Sequence, residues 1–182
     1  MLTEEQKSTL LSLARQSLAA ATRGAPLPRP EIADSALARP CGAFVTLKVH
    51  GRLRGCIGLV EAIKPLYQSV IEMARSAALD DPRFPPVTPD ELPGIHIEIS
   101  VMSPLERVKD VQREVEVGQH GLLIRKGFFS GLLLPQVPVE WNWDRDEFVQ
   151  QTCLKAGLPP DAWREGAEIY RFSADVFGEP ER

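Results

Sequence analysis

The feature that most constrains this chain is a pattern that occurs twice. Residues 42–60, GAFVTLKVHGRLRGCIGLV, and residues 121–137, GLLIRKGFFSGLLLPQV, each alternate across a glycine turn, at His50-Gly51 and at Lys126-Gly127. Alternation of period two on both sides of a turn reads as a β-hairpin. A helix-length amphipathic stretch follows each one. The first covers 65–79, with Pro65 suited to the first helical position. The second covers 145–156, opened by Asp144 with Glu147 three residues on and closed by Gly157. Each helix leads through a proline-rich loop into a further strand, IHIEISVM at 95–102 and EIYRFSADVF at 168–177. A hairpin–helix–strand unit used twice predicts an α+β fold. It should be two-layered, with mostly antiparallel sheets, helices on one side and two intimate subdomains. Aligning the turn glycines sets Gly55 on Gly131 and Cys56 on Leu132.

The remaining sequence is consistent with a single domain spanning 1–182. Residues 3–22 read as a helix, with Thr3 and Gln6 as a capping box and Leu10, Ala14, Ser17, Leu18 and Ala21 on one stripe. Pro26, Pro28, Pro30 and Pro40 mark an extended connector pinned by Ile32 and Leu37. A net charge of −4 argues against a nucleic-acid binder that works by neutralising phosphates. No apolar run reaches membrane-spanning length, and the N-terminus reads as neither a signal nor a transit peptide, so the expected location is cytoplasmic. Cys41, Cys56 and Cys153 are odd in number and far apart, with no C-x-x-C pair. That pattern predicts three reduced thiols and offers no C-x-x-C pair to suggest a zinc site, while the spacing is silent on a metal site of Cys56, His120 and a carboxylate.

Cys56 sits between Gly55 and Ile57, two residues downstream of Arg54 and four downstream of Arg52. Burial of one face fixes register, because a one-residue slip turns every side chain over. A type I turn with a left-handed Gly51 and a bulge would place Lys48 opposite Arg52, Thr46 opposite Arg54 and Phe44 opposite Cys56. Val45, Leu47, Val49, Leu53, Gly55, Ile57 and Leu59 then share the helix-facing side. Cys56 lies on the other side, in line with both arginines. Two readings stand together. Cys56 is a small hydrophobe under a second layer, as its counterpart Leu132 indicates. Alternatively, the guanidinium groups lower its pKa and supply a thiolate, while Gly55 and Gly58 border open space for a ligand.

Leu53-Arg54-Gly55-Cys56-Ile57-Gly58 resembles the LRGCIG signature of the AMMECR domain family, whose prokaryotic members are called protein A of the AmmeMemoRadiSam system. GAFVTL at 42–47, DPRFPPV at 81–87, EISVMSPLE at 98–106, GQHGLLI at 118–124, LLLPQV at 132–137 and KAGL at 155–158 follow in family order, so the resemblance covers residues 40–177. It implies an α+β protein of two subdomains, one from the middle of the chain and one from its ends. It also implies Memo-like and radical SAM partners in a shared pathway. No single reaction comes with the family.

Other residues carry candidate chemistry. His120 stands opposite Leu132 in the repeat alignment and pairs with Cys56 as an acid/base partner, or else ends a loop on backbone bonds. His96, Glu98 and Ser100 share one face of a strand, either a polar sheet surface or a pocket wall. Asp81 and Arg83 either present charge to a ligand or hold the DDPRFPP loop shut. Glu140 and Trp141, with Trp143 nearby, either stack a flat ligand or staple the last helix. Cys153 reads as core. The leading expectation is a small-molecule site of Cys56 and His120, with Arg54, Gly55, Gly58, Asp81, Arg83, Glu140 and Trp141 as ligand contacts and no cofactor or metal assigned. The rival is a non-catalytic interaction module that docks through the RLRGCIG strand and the Trp loop.

Overall fold

A computed structural model describes residues 2–180. In chain order the elements are α1 (Glu4–Thr22), α2 (Ser35–Ala38), β1 (Ala43–Val49), β2 (Arg52–Leu59), α3 (Leu66–Leu79), β3 (Ile95–Met102), β4 (Glu106–Arg107) and α4 (Val111–Glu114). They continue with β5 (Gly121–Lys126), β6 (Phe129–Leu133), α5 (Gln136–Glu140), α6 (Arg145–Lys155), β7 (Glu168–Phe172) and β8 (Ala174–Gly178). Thr3 caps α1 and Asp144 caps α6, each through a reciprocal capping box with Gln6 and Glu147 respectively. Gly157 closes α6 in the left-handed region at φ 76°.

The described chain divides into two compact units, one of residues 2–102 and 175–180, the other of residues 103–174. The first holds a four-stranded sheet in the order β2-β1-β3-β8. Val45, Leu47, Ile97 and Ile99 are fully buried on one face of it, together with Leu10, Ala14 and Leu18 of α1 and Val70 and Ala74 of α3. The second holds a sheet in the order β4-β7-β5-β6. There Leu122, Ile124 and Ile169 pack with Phe148, Val149 and Cys153 of α6.

The repeat is structural. In each unit the second hairpin strand lies at the sheet margin, the first is central, and the strand after the helix pairs on its far side: β2-β1-β3 in one, β6-β5-β7 in the other. The glycine of the second strand has the same job in both. A Cβ at Gly55 would stand 2.1 Å from the carbonyl oxygen of Ala77 on α3, and one at Gly131 would stand 2.3 Å from the amide nitrogen of Ala156 after α6. Each is a place where a helix backbone rests directly on a strand.

Two details differ from the sequence reading. The segment 168–177 is not one strand. It breaks at Ser173, β7 joins the second sheet and β8 the first. Ser103 and Ser173 mark the crossing, with the Ser103 amide donating to the Ser173 carbonyl at 2.8 Å and the Ser173 amide donating to the Ser103 hydroxyl at 2.9 Å. The first hairpin also turns differently. His50 (φ 49°) and Gly51 (φ 74°) form a two-residue turn with both central residues left-handed, and Val49 pairs with Arg52. The register then shifts between Lys48↔Leu53 and Leu47↔Gly55, so the extra residue is Arg54 rather than one at the turn. Beyond that bulge the predicted faces hold, but the partners move. Cys56 lies opposite Thr46, not Phe44, and Leu53 is left exposed rather than in the core.

Candidate functional site

Three strands of the first unit bring one residue each into a single cross-strand row. Cys56 on β2 pairs with Thr46 on β1, and Thr46 pairs with Glu98 on β3. Residues directly opposite on adjacent strands share a face, and this face is the one turned away from the helices. The Thr46 hydroxyl donates to Cys56 Sγ at 3.2 Å. Lys48, two residues along β1, holds the Glu98 carboxylate at 2.9 Å. In the next row Ser100 pairs with Phe44, is 1 % exposed, and has an Oγ with no hydrogen-bond partner among the described residues. A buried polar atom left unpaired in a native structure calls for an explanation. Thr46 and Lys48 were invisible as site residues in the sequence, because only the β1–β3 register carries them beside Glu98 and Cys56.

The DDPRFPP loop meets this row from the strand edge. Asp81 is buried and accepts the Cys56 amide at 2.9 Å, while Arg83 donates to the Cys56 carbonyl at 3.3 Å. Arg83 grips Asp81 in two parallel bonds of 2.9 and 2.7 Å. The pair supplies β2 with the acceptor and donor that another strand would have given. Arg54 is turned elsewhere. It forms a two-pronged pair with Glu91 at 2.8 and 3.1 Å and donates to the Pro85 carbonyl. Phe84 lies within cation–π distance of both arginines, 6.0 Å from Arg54 and 5.6 Å from Arg83.

These contacts revise the thiolate reading. Burial pushes the Cys56 thiol up from its ordinary value, against the opposing pull of the Thr46 hydrogen bond and the Arg83 charge. Arg83, and not Arg52 or Arg54, is the cation that acts on it. At neutral pH Cys56 is therefore a protonated thiol. Iodoacetamide is expected to label it slowly at pH 7, with a rate that climbs through a midpoint above the free-thiol value of about 8.5. Cys153, fully buried, should stay unlabelled in the native protein. Mass spectrometry of the labelled peptides checks both. A midpoint below that of a free thiol would restore the thiolate.

Gly55 and Gly58 do not border open space. Gly55 lies under α3, and a Cβ at Gly58 would stand 2.2 Å from the ring of Phe44, which covers it. Their absent side chains serve packing within the unit. His120 belongs to the other unit and precedes β5. The residue opposite Leu132 is Leu123. His120 Nδ1 accepts the Glu116 amide at 3.0 Å, and its own amide donates to the Glu116 carbonyl. Burial, with Arg171 next in effect, lowers its pKa, so the imidazole is neutral. Trp141 follows α5 and stacks on Trp143 with centroids 6.1 Å apart. It is 67 % exposed, and Glu140 beside it is exposed as well.

Among the described residues no group of three or more His, Cys, Asp or Glu side chains is placed to hold a metal ion. No described helix is long and apolar enough to cross a membrane.

Comparison with known proteins converges on one group. The family model described as AMMECR1 matches residues 11–177. A protein of Thermococcus kodakarensis is 50 % identical over 160 residues, covering 82 % of this chain and 78 % of its own. One from Thermococcus gammatolerans is 45 % identical over 187 residues, covering 97 % and 91 %. The crystal structure of the uncharacterized protein PH0010 from Pyrococcus horikoshii superposes with a TM-score of 0.92 at 41 % identity, over 98 % of this chain and 93 % of that one. With the LRGCIG strand, the repeated unit and the ordered motifs all inside the matched span, this chain belongs to the AMMECR1 family.

Proposed function

We propose that the chain binds and processes a small polar molecule at the row of Cys56, Thr46 and Glu98, and that it does so alongside Memo-like and radical SAM proteins. The observation that carries this reading is the contrast between the two repeats. The positions equivalent to Cys56, Thr46 and Glu98 in the second unit are Leu132, Leu123 and Tyr170. The same architecture is built there with leucine at both hairpin positions, so folding does not require a thiol, a hydroxyl and a carboxylate in line. Cys56 is the group that contacts the ligand, as a resting thiol that becomes a nucleophile only when a bound substrate draws off its proton. Thr46 orients the sulfur, Glu98 accepts a proton or an amine, and the unpaired Ser100 hydroxyl offers a further contact.

Cells lacking the gene, complemented with Cys56→Ser or Glu98→Gln, provide the test. The readout is the difference in metabolite profile between cells with and without the gene, which both variants are expected to leave uncorrected while melting within about 3 °C of wild type. Full correction by both would remove the site. The docking-module reading has one observation in its favour, the exposed Trp141 near the exposed Val139. Its other half is weaker, because the Asp81–Arg83 loop already occupies the margin of the RLRGCIG strand at Cys56. Loss of complementation in Trp141→Ala, with Cys56→Ser fully active, would favour docking.

A further inference from the structure

A strand at the margin of a sheet presents unpaired N–H and C=O groups, and natural proteins guard such edges. In this chain the margins are treated unequally. β2 carries Arg52 and Arg54, is bent by the bulge at Arg54, and has the Cys56 amide and carbonyl taken up by Asp81 and Arg83. β4 is two residues long and both are charged, Glu106 and Arg107. β6 has none of these devices. Phe129–Leu133, sequence FSGLL, holds no charge and no proline. Its register against β5 runs without a shift. Leu132 occupies the place of Cys56, and among the described residues no loop carboxylate or guanidinium takes up its amide and carbonyl as Asp81 and Arg83 do for Cys56.

The tip of the same hairpin is apolar without a folding reason. Gly127 (φ 59°) opens a two-residue turn between Lys126 and Phe129, the pattern of a type II′ turn. That turn demands glycine at its first position and accepts polar residues at its second. The second position is Phe128, fully exposed, and it is followed by Phe129, more than half exposed. Leu154, half exposed, lies on α6, whose C-terminal end rests on β6 at Gly131.

We propose that this edge pairs with the same edge of a second copy of the chain, joining two four-stranded sheets across a two-fold axis. The strand is complementary to itself. Paired antiparallel about Gly131, Ser130 meets Leu132 of the second copy and Phe129 meets Leu133, and no like charges oppose each other. Lys126 and Phe129 flank the two-residue turn as a hydrogen-bonded pair, so Ser130 and Leu132 direct their amides and carbonyls away from β5, and the Ser130–Leu132 rows are the hydrogen-bonded ones. Phe128 and Phe129 of both copies can remove at most roughly 500–800 Å² from water on top of the strand contact. That total sits at the low end of specific interfaces, and the dimer is expected to dissociate in the range of about 10–100 μM.

Sedimentation equilibrium of the full chain, from about 5 μM to about 1 mM, should follow a monomer–dimer isotherm in that range. Phe128→Asp combined with Phe129→Asp should weaken association at least about tenfold, with an unchanged circular dichroism melt to show that the variant is folded. Ser130→Lys and Ser130→Glu each place like charges diagonally across the two-fold axis, so each alone should weaken the dimer, and an equimolar mixture should restore it. A chain that stays monomeric throughout overturns the proposal. A dimer indifferent to these variants, or a mixture no tighter than either variant alone, does so too. Uptake of a synthetic extended apolar peptide by a monomeric wild-type chain would give the edge to a different occupant. None of these readouts depends on the role of Cys56.

Discussion

Gly55→Ala is expected to lower stability by about 3 kcal/mol, a shift of roughly 6–12 °C in melting temperature for a chain of this length. The new Cβ would sit 2.1 Å from the Ala77 carbonyl oxygen and 3.1 Å from its carbonyl carbon, both helix backbone atoms that cannot rotate away. Either α3 lifts off the sheet or β2 moves outward, and both routes loosen the packing of Leu47 and Ala74 beneath. Gly131→Ala should behave alike, since its Cβ would lie 2.3 Å from the Ala156 nitrogen. Gly58→Ala should cost less, because the obstacle is the Phe44 ring, a side chain able to swing. Gly94→Ala, with nothing within 4 Å, is the neutral control. Urea unfolding of the four variants gives the ranking. A Gly55→Ala cost no larger than that of Gly94→Ala would mean that helix and strand are not in contact as described.

The second large effect belongs to Asp81. Asp81→Ala removes the acceptor of the Cys56 amide and the two-pronged partner of Arg83, and is expected to cost about 2–4 kcal/mol. Most of this comes from the buried amide left without a partner, since the half-exposed Arg83 regains water. The effect also depends on pH. The Arg83 bonds hold the Asp81 carboxyl well below the usual carboxylate range. The folded chain thus takes up that proton less readily than the unfolded chain, whose value is about 3.9. The stabilisation is complete above the unfolded value and is lost as pH falls toward the folded one. Wild type and Asp81→Asn should therefore differ most near neutrality and converge in acid below about pH 4. A gap that widens on acidification would be the wrong sign for this pair.

Much of the fold was legible from local rules. Both helix starts were written in the capping residues Thr3 and Asp144, and the two hairpins in their alternation and turn glycines. Which face of β1 and β2 is buried also followed from parity, since Val45, Leu47, Gly55 and Ile57 keep to one side wherever a single extra residue is inserted above them. For the same reason parity could not locate that residue. A bulge at the turn and a bulge at Arg54 leave the lower faces identical, yet they exchange the partner of Cys56 from Phe44 to Thr46. The split of 168–177 at Ser173 was likewise hidden, because each half is a sound strand by composition and only the pairing assigns it to a sheet.

The candidate site divides along the same line. The residue types at 53–58 marked Cys56 as unusual, and the DDPRFPP stretch marked Asp81 and Arg83 as a pair, since both facts are local in the chain. What surrounds Cys56 was decided by register and loop closure. Thr46 and Glu98 come from strands 10 and 42 positions away, read off the pairings Thr46↔Cys56 and Thr46↔Glu98. Arg54, nearer to Cys56 in sequence, turns to Glu91 instead, while Arg83 arrives from the loop after α3. Sequence distance sets which charges are close along the chain. The sign of the Cys56 pKa shift depends on how far burial outweighs the charges in space, and burial exists only once the sheet has formed.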